Sequence, residues 1–212
     1  TFERLLRAAD RTLRVEHRVE EGLLTEAQRL GADDPALIAR VQGSVMSAAS
    51  TGASVVVCTC STIGGAAERT PTGGRFIATR IGRAMADAAA RSGPRILIVA
   101  ALVSTLDPTA TLIRESAVAL HVPVMLELLI ADGAWQHFVS GNHDAYHEAI
   151  VRAVRACSST ATVVVLAQAS MAPAASALQD LGIAVLSSPE LGVQSIVFDI
   201  LPALKAEDYP HL

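Results

Sequence analysis

The sequence predicts an α/β fold: parallel sheets covered on both faces by helices. Three observations carry this. Short, continuous apolar runs recur along the chain, among them "ASVVVCTC", "RILIVAAL", "VPVMLELLI" and "ATVVVLAQ". Segments with apolar residues at helical spacing separate them, the order expected when strands are buried on both faces. The apolar content is 51% while aromatics are only 3%, so alanine and valine dominate, which suits helices packed closely on a sheet.

Taken in order, "TLRVEHRV" (12–19) alternates and predicts a strand with Leu13, Val15 and His17 on one side. Residues 22–34 read as a helix closed by Gly31. The next helix (34–51) has Asp34 as N-cap and Pro35 in its first turn. "ASVVVCTC" (53–60) is a strand, and 73–94 reads as one helical stretch ending at Gly93-Pro94. "RILIVAAL" (95–102) is a buried strand, followed by a helix over 106–121 with Asp107 as cap and Pro108 behind it. Strands are expected at 122–130, 161–168 and 182–189, with helices at 142–159 and 172–182 between them, and "LGVQSIVFDILPAL" (191–204) closes the pattern. No low-complexity linker divides the 212 residues.

The net charge of −4 gives no electrostatic reason to expect nucleic acid or an anionic membrane as partner. The apolar runs fall well short of the roughly 18 residues of a membrane helix. The opening "TFERLLRAADRTLR" is charged and helical in pattern, unlike a signal peptide. Three cysteines, at 58, 60 and 157, make no disulfide framework, so a cytoplasmic location is expected. Weakly charged, alanine-rich stretches such as 76–90 suggest apolar faces covered in a homodimer or higher homo-oligomer.

Two units look alike. "ASVVVCTCSTIGGAAE" (53–68) and "ATVVVLAQASMAPAAS" (161–176) share a small residue, a valine run, a polar tip and an alanine-rich segment. Aligned, Cys60 falls opposite Gln168 and Thr62 opposite Ser170. Each tip belongs at the carboxyl end of a parallel strand, where α/β sheets bind ligands, and the match suggests a duplication with both tips facing one cleft. Within the first unit, Cys58 lies inside the valine run and reads as a small buried hydrophobe. Cys60 sits at the tip ahead of a helix, beside the hydroxyls of Ser61 and Thr62, where a thiol can move a proton or attack an electrophile. Core packing is the competing reading for both cysteines. Zinc is not expected, because "CTC" has no nearby ligands to complete a site.

On these residues the chain resembles the aspartate/glutamate/hydantoin racemase superfamily, which includes arylmalonate decarboxylase and maleate isomerase. Cys60-Ser61-Thr62 matches the family's first motif, and "VVVLAQASMA" (163–172) its second, with Gln168 in the cysteine position. "VSTLDPT" (103–109), "GNHDAYHEAI" (141–150) and "VLSSPELGV" (185–193) extend the likeness over most of residues 50–200. The resemblance implies two Rossmann-like lobes related by a pseudo-twofold axis, approximately 1–95 with 190–212, and 96–189. It implies an active site between them and no cofactor. It places the family's first strand ahead of "TFERLL".

The resemblance also implies site roles: Cys60 as proton-transfer group or nucleophile, and Ser61, Thr62, Ser104, Thr105, Gln168, Ala169 and Ser170 as substrate-binding residues. Family racemases use two cysteines on opposite faces of the substrate carbon, and a glutamine amide has no acid–base chemistry near neutral pH. His147 is the candidate for a second proton group. With His143 it shares a helix face, which reads equally as a solvated surface. Ser187 and Ser188 end another strand and are open to binding or capping roles. Three functions follow: a racemase or isomerase acting next to a carboxylate, a single-thiol decarboxylase or lyase on a 2-substituted malonate-like acid, and a carboxylate-binding protein without chemistry.

Overall fold

The computed structural model describes residues 1–208, so the last four residues of the 190–212 segment lie outside the described residues. The chain runs α1 (Phe2–Ala9), α2 (Glu21–Leu30), α3 (Pro35–Ala49), β1 (Val55–Cys58), α4 (Gly64–Glu68), β2 (Ile77–Arg80), α5 (Arg83–Ser92), β3 (Arg95–Ala100) and α6 (Val103–Leu120). It continues through β4 (Met125–Ile130), α7 (Ala134–Val139), α8 (His143–Cys157), β5 (Val163–Leu166), a 3-10 stretch (Ala169–Leu181) and β6 (Ala184–Ser187). It ends with α9 (Ser188–Ser195), a π turn (Ile196–Ile200) and α10 (Leu201–Asp208).

The described residues form two sheets, both parallel. β1 and β2 form a pair; β4-β3-β5-β6 form a four-stranded sheet in that order. Each sheet carries helices on both faces. On the small sheet, Leu23, Leu37, Val41 and Ala66 pack against Val56, Cys58 and Ala78 from one side, while Val193, Ile196 and Leu5 meet Val57 and Ile81 from the other. The large sheet is covered by α7, α8 and the 3-10 stretch on the face of Leu97, Val99 and Val164, and by α5 and α6 on the face of Ile96, Ile98 and Val165. β5 is wholly buried, which explains its unbroken valine run.

Several segments differ from the expectation. Residues 12–19 form no strand. Their charged side chains reach helices instead: His17 Nε2 lies 3.3 Å from Glu3 Oε2, and Arg18 donates to Ser47 Oγ. The 73–94 stretch is not one helix. Gly73 and Gly74 turn in the left-handed region (φ 62° and 73°), and Ile77–Arg80 then pairs with β1 before α5 begins. The helix after β3 starts at Val103, four residues before Asp107, so Pro108 lies inside it and Ser104 loses one intrahelical donor. The sequence pattern also misses α7, a six-residue helix between Gly133 and Gly141, both at positive φ. The alanines expected to leave an open face (Ala86, Ala89 and Ala90 on α5) are buried within their own chain. That argument for an oligomer falls.

Candidate active site

The two sheets meet at the carboxyl ends of β1 and β5. Strand β1 ends at Cys58, and the chain turns through Cys60, Ser61 and Thr62 before α4 begins at Gly64. The helix that follows Cys60 is therefore only five residues long and starts four positions later. The thiol owes little to a helix dipole, which acts within a first turn. What surrounds it is the sheet junction. Cys58, Cys60 and Ser61 line a cavity of about 10 Å³ together with Arg80, Ile81, Gly82, Met85, Pro108, Thr109, Leu112 and Ala167. That volume holds about one water-sized sphere.

Polar contacts close the junction around this cavity. Ser61 donates to the carbonyl of Ala167 at 2.5 Å, joining the β1 tip directly to the β5 tip. Thr62 Oγ1 lies 3.3 Å from Thr105 Oγ1, and both residues are buried. Ion pairs continue the line. Arg80 reaches Glu115 of α6 at 2.8 Å, and Arg83 of α5 bridges to Glu68 of α4. Arg80 Nε also lies 2.9 Å from Glu68 Oε2. The Cα atoms of Gly64 and Gly65 leave room for this side chain; a Cβ on Gly64 would sit 3.1 Å from Arg80 Cβ. Arg80 is only 6% exposed. Burial lowers its pKa from the ordinary arginine value, opposed by the charges of Glu68 and Glu115. An arginine this buried needs its carboxylate partners.

The two thiols differ. Cys58 donates its S–H toward the carbonyl of Cys60 at 3.6 Å. Burial, reinforced by Cys60 nearby, pushes the Cys58 thiol up to about 12, so it is a neutral proton-bearing group at any ordinary pH. Cys60 stands beyond the strand end, half-buried, with Ser61 at its side.

The other expected site residues divide into two sets. Ser104 and Thr105 belong to the first turn of α6, and Thr105 is in the contact with Thr62. The Ser104 Oγ atom is buried without a hydrogen-bond partner, as are Ser116 Oγ and Ser188 Oγ. Gln168 does not point at Cys60: its Oε1 accepts the backbone N–H of Ala101 at 2.6 Å, tying the β5 tip to β3 within one sheet. Ala167 is the β5-tip residue that reaches the cavity. Ala169 opens the 3-10 stretch. Ser170 turns to the other face of the large sheet, where its hydroxyl meets Tyr146 OH at 2.8 Å and His147 Nε2 lies 3.2 Å from its carbonyl. Burial pushes the Tyr146 phenol up, with the Ser170 hydrogen bond opposing. His143 is exposed and sits edge-on to Phe138. Among the described residues no cluster of three His, Cys, Asp or Glu side chains is arranged to hold a metal, and no helix is long and apolar enough to cross a membrane.

Sequence reasoning missed Arg80. Its strand was hidden in a stretch read as helix. The signal available was the pair Gly73-Gly74 followed by "RFIATR", with β-branched residues at 77 and 79 and a glycine at 82.

No family model matches the chain, and neither does any curated protein. The fold itself has clear neighbours among solved structures. Glutamate racemase from Aquifex pyrophilus superposes with a TM-score of 0.63 at 12% identity, covering 92% of this chain and 77% of that one. The aspartate racemase of Picrophilus torridus gives 0.61 at 11% identity, covering 92% and 88%. An arylmalonate decarboxylase gives 0.52 at 14% identity, with 80% of each chain covered. The chain spans as little as 66% of the length of some neighbours and up to 92% of others. The α/β fold, parallel sheets wrapped by helices, is thus the one found in glutamate and aspartate racemases and in arylmalonate decarboxylase.

Proposed function

We propose that this chain is a cofactor-independent enzyme of the Asp/Glu/hydantoin racemase type, acting at the carbon next to a carboxylate, with Cys60 moving the proton. The observation that supports it best is the placement of Cys60 and Ser61 at the junction of two sheets, in a fold shared with such enzymes. In this reading Cys60, as thiolate, takes the proton from the acidic carbon, and a water molecule returns a proton to the opposite face of that carbon. The electron pair of the broken C–H bond passes into the carboxylate as an enediolate, held by the hydroxyls of Ser61, Thr62, Ser104 and Thr105. The unpartnered Ser104 Oγ fits that role. The cavity of about 10 Å³ is far below the roughly 300–1,000 Å³ of small-molecule sites. Substrate entry therefore requires the Ser61–Ala167 and Thr62–Thr105 contacts to part. A homo-oligomer working in the cytoplasm completes the proposal.

A second reading is a single-thiol decarboxylase or lyase on a 2-substituted malonate-like acid. One observation favours it: the cavity's thiols, Cys58 and Cys60, both come from the β1 side, while the β5 tip contributes only Ala167. One-sided protonation of an enolate suits that arrangement. The test is incubation in D2O with small amino acids, hydantoins and 2-substituted dicarboxylates, read by NMR and by release of CO2. Deuterium entering without loss of CO2 supports racemase or isomerase; CO2 release with one stereoisomer of product supports decarboxylase. Binding with neither outcome refutes both and leaves a carboxylate-binding protein.

A further inference from the structure

The carboxylates at the junction leave one edge of the Arg80 guanidinium over. Glu68 and Glu115 lie against its Nε and Nη2, at 2.9 and 2.8 Å. The Nε N–H is buried and has no hydrogen-bond acceptor among the described residues. Nη1 lies over Gly65, where it meets a second guanidinium. A Cβ on Gly65 would sit 3.4 Å from Arg80 Nη1 and 3.2 Å from Arg69 Nη1. The two nitrogens are therefore less than about 7 Å apart, a separation at which like charges repel unless an anion lies between them. Arg69, which follows α4 directly, is exposed, and its side chain has no ion pair or hydrogen bond among the described residues. Nor do the local charges balance. Arg69, Arg80 and Arg83 face only Glu68 and Glu115, and both carboxylates are already shared by Arg80 and Arg83. After burial, which lowers the Arg80 pKa most, the charges of Arg83 and Arg69 lower it further, against Glu68 and Glu115.

We propose that Arg69 and Arg80 clamp a tetrahedral oxyanion, a free phosphate or a phosphoryl group, over Gly65. Neither Gly65 nor Arg69 lines the Cys60 cavity, so this site is separate from the one described above. Each part has a reason. Arg80 is the fixed half, 6% exposed and held by its two carboxylates. Arg69 is the movable half, free to swing out and admit the ion. Gly65 is the floor, because a side chain there would occupy the space between the two nitrogens. The guanidinium forks give charge-assisted hydrogen bonds to oxygens at about 2.7–2.9 Å. They arrive from two different elements, α4 and β2. A tetrahedral ion presents oxygens to both at once, whereas a carboxylate presents its two from one side of a single carbon. The ion also supplies the negative charge that three arginines and two glutamates lack. Once bound, it ties the end of α4 to β2.

The test is calorimetric titration of the full chain with inorganic phosphate and, separately, with glycerol 3-phosphate, at constant ionic strength. One ion is expected to bind per chain. The tighter of the two ligands names the source, a free ion or a phosphoryl group. Acetate at the same concentration is expected not to displace it. Arg69→Gln is expected to weaken binding at least about tenfold, through the loss of one charged fork. Gly65→Ala is expected to do the same by filling the floor, and alanine suits a helix better than glycine, so the fold is kept. Arg75→Gln, at a nearby exposed arginine, is expected to bind as wild type does. An unchanged circular dichroism spectrum checks the fold of each variant. No binding by wild type overturns the proposal, and so does binding that survives unchanged in both Arg69→Gln and Gly65→Ala. Acetate binding as tightly as phosphate overturns the tetrahedral assignment.

Discussion

The tips of β1 and β5 begin from nearly the same sequence and end in different work. Both strands are valine runs followed by a polar turn and an alanine-rich helical segment. The β1 tip turns its side chains outward to the neighbouring sheet: Ser61 reaches Ala167, Thr62 reaches Thr105, and Cys60 faces the junction cavity. The β5 tip turns its side chains back into its own lattice: Gln168 holds Ala101, and Ser170 holds Tyr146. A βα unit thus specifies where a tip will be, while the neighbours it meets decide whether its side chains are reactive or structural. That difference can be broken deliberately.

The largest structural effect at neutral pH is expected from Arg80→Met. The change leaves Arg83 as the remaining ion-pair partner of Glu68 and Glu115 at the junction, where removal of one partner from a fully buried pair would cost about 3–5 kcal/mol. Because Glu115 is 42% exposed, about 2–3 kcal/mol is expected here, read as a lower urea midpoint. Arg83→Ala, whose side chain is itself 32% exposed, is expected to cost about 1 kcal/mol or less. Equal losses for the two would mean that Arg80 is not the centre of the junction.

Next comes Cys58. Its pKa is raised in the folded state, so the stability it contributes is present below the free-thiol value of roughly 8.5 and is lost as pH rises from there toward about 12. Between those limits wild type should lose about 1.4 kcal/mol per pH unit relative to Cys58→Ala. Parallel pH profiles for the two proteins would mean that the thiol is not enclosed.

The smallest effects separate the tips themselves. Ser61→Ala removes one hydrogen bond across the junction and is expected to cost about 0.5–1.5 kcal/mol. It should also speed alkylation of Cys60 by iodoacetamide, since the contact that closes the cavity is gone. Tyr146→Phe removes a bond of similar size on the far face and should leave Cys60 labelling unchanged. Equal labelling rates in the two variants would remove the distinction between an outward and an inward tip.

How much of this was legible in the sequence depends on whether a signal was local. β1, β3 and β5 announce themselves as apolar runs because they are buried on both faces. Asp34-Pro35 and Asp107-Pro108 carry the same helix-start signature, yet only the first acts as one: Asp34 Oδ1 accepts the N–H of Leu37 at 2.9 Å. The second lies inside α6 because Val103 follows β3 so closely that the helix has already begun. Cys60, Ser61 and Thr62 could be placed at a strand tip from their neighbours alone. The direction of Gln168 and Ser170 could not, since it depends on Ala101 and Tyr146, partners from distant parts of the chain. Nor could Arg80 be told from the other basic residues, because its burial is created by α4 and α6 closing over β2.

The central claim is that chemistry belongs to the β1 tip and scaffolding to the β5 tip. It is tested most directly by deuterium incorporation next to the carboxylate of a turned-over acid, compared in Cys60→Ser and Gln168→Ala. Loss of a positioned proton-transfer group typically costs 10²- to 10⁴-fold, so Cys60→Ser should be slowed by about a thousandfold or more. Gln168→Ala, losing a hydrogen bond within its own sheet, should stay within about tenfold of wild type. Exchange that survives in Cys60→Ser, or that disappears in Gln168→Ala alone, would contradict the account.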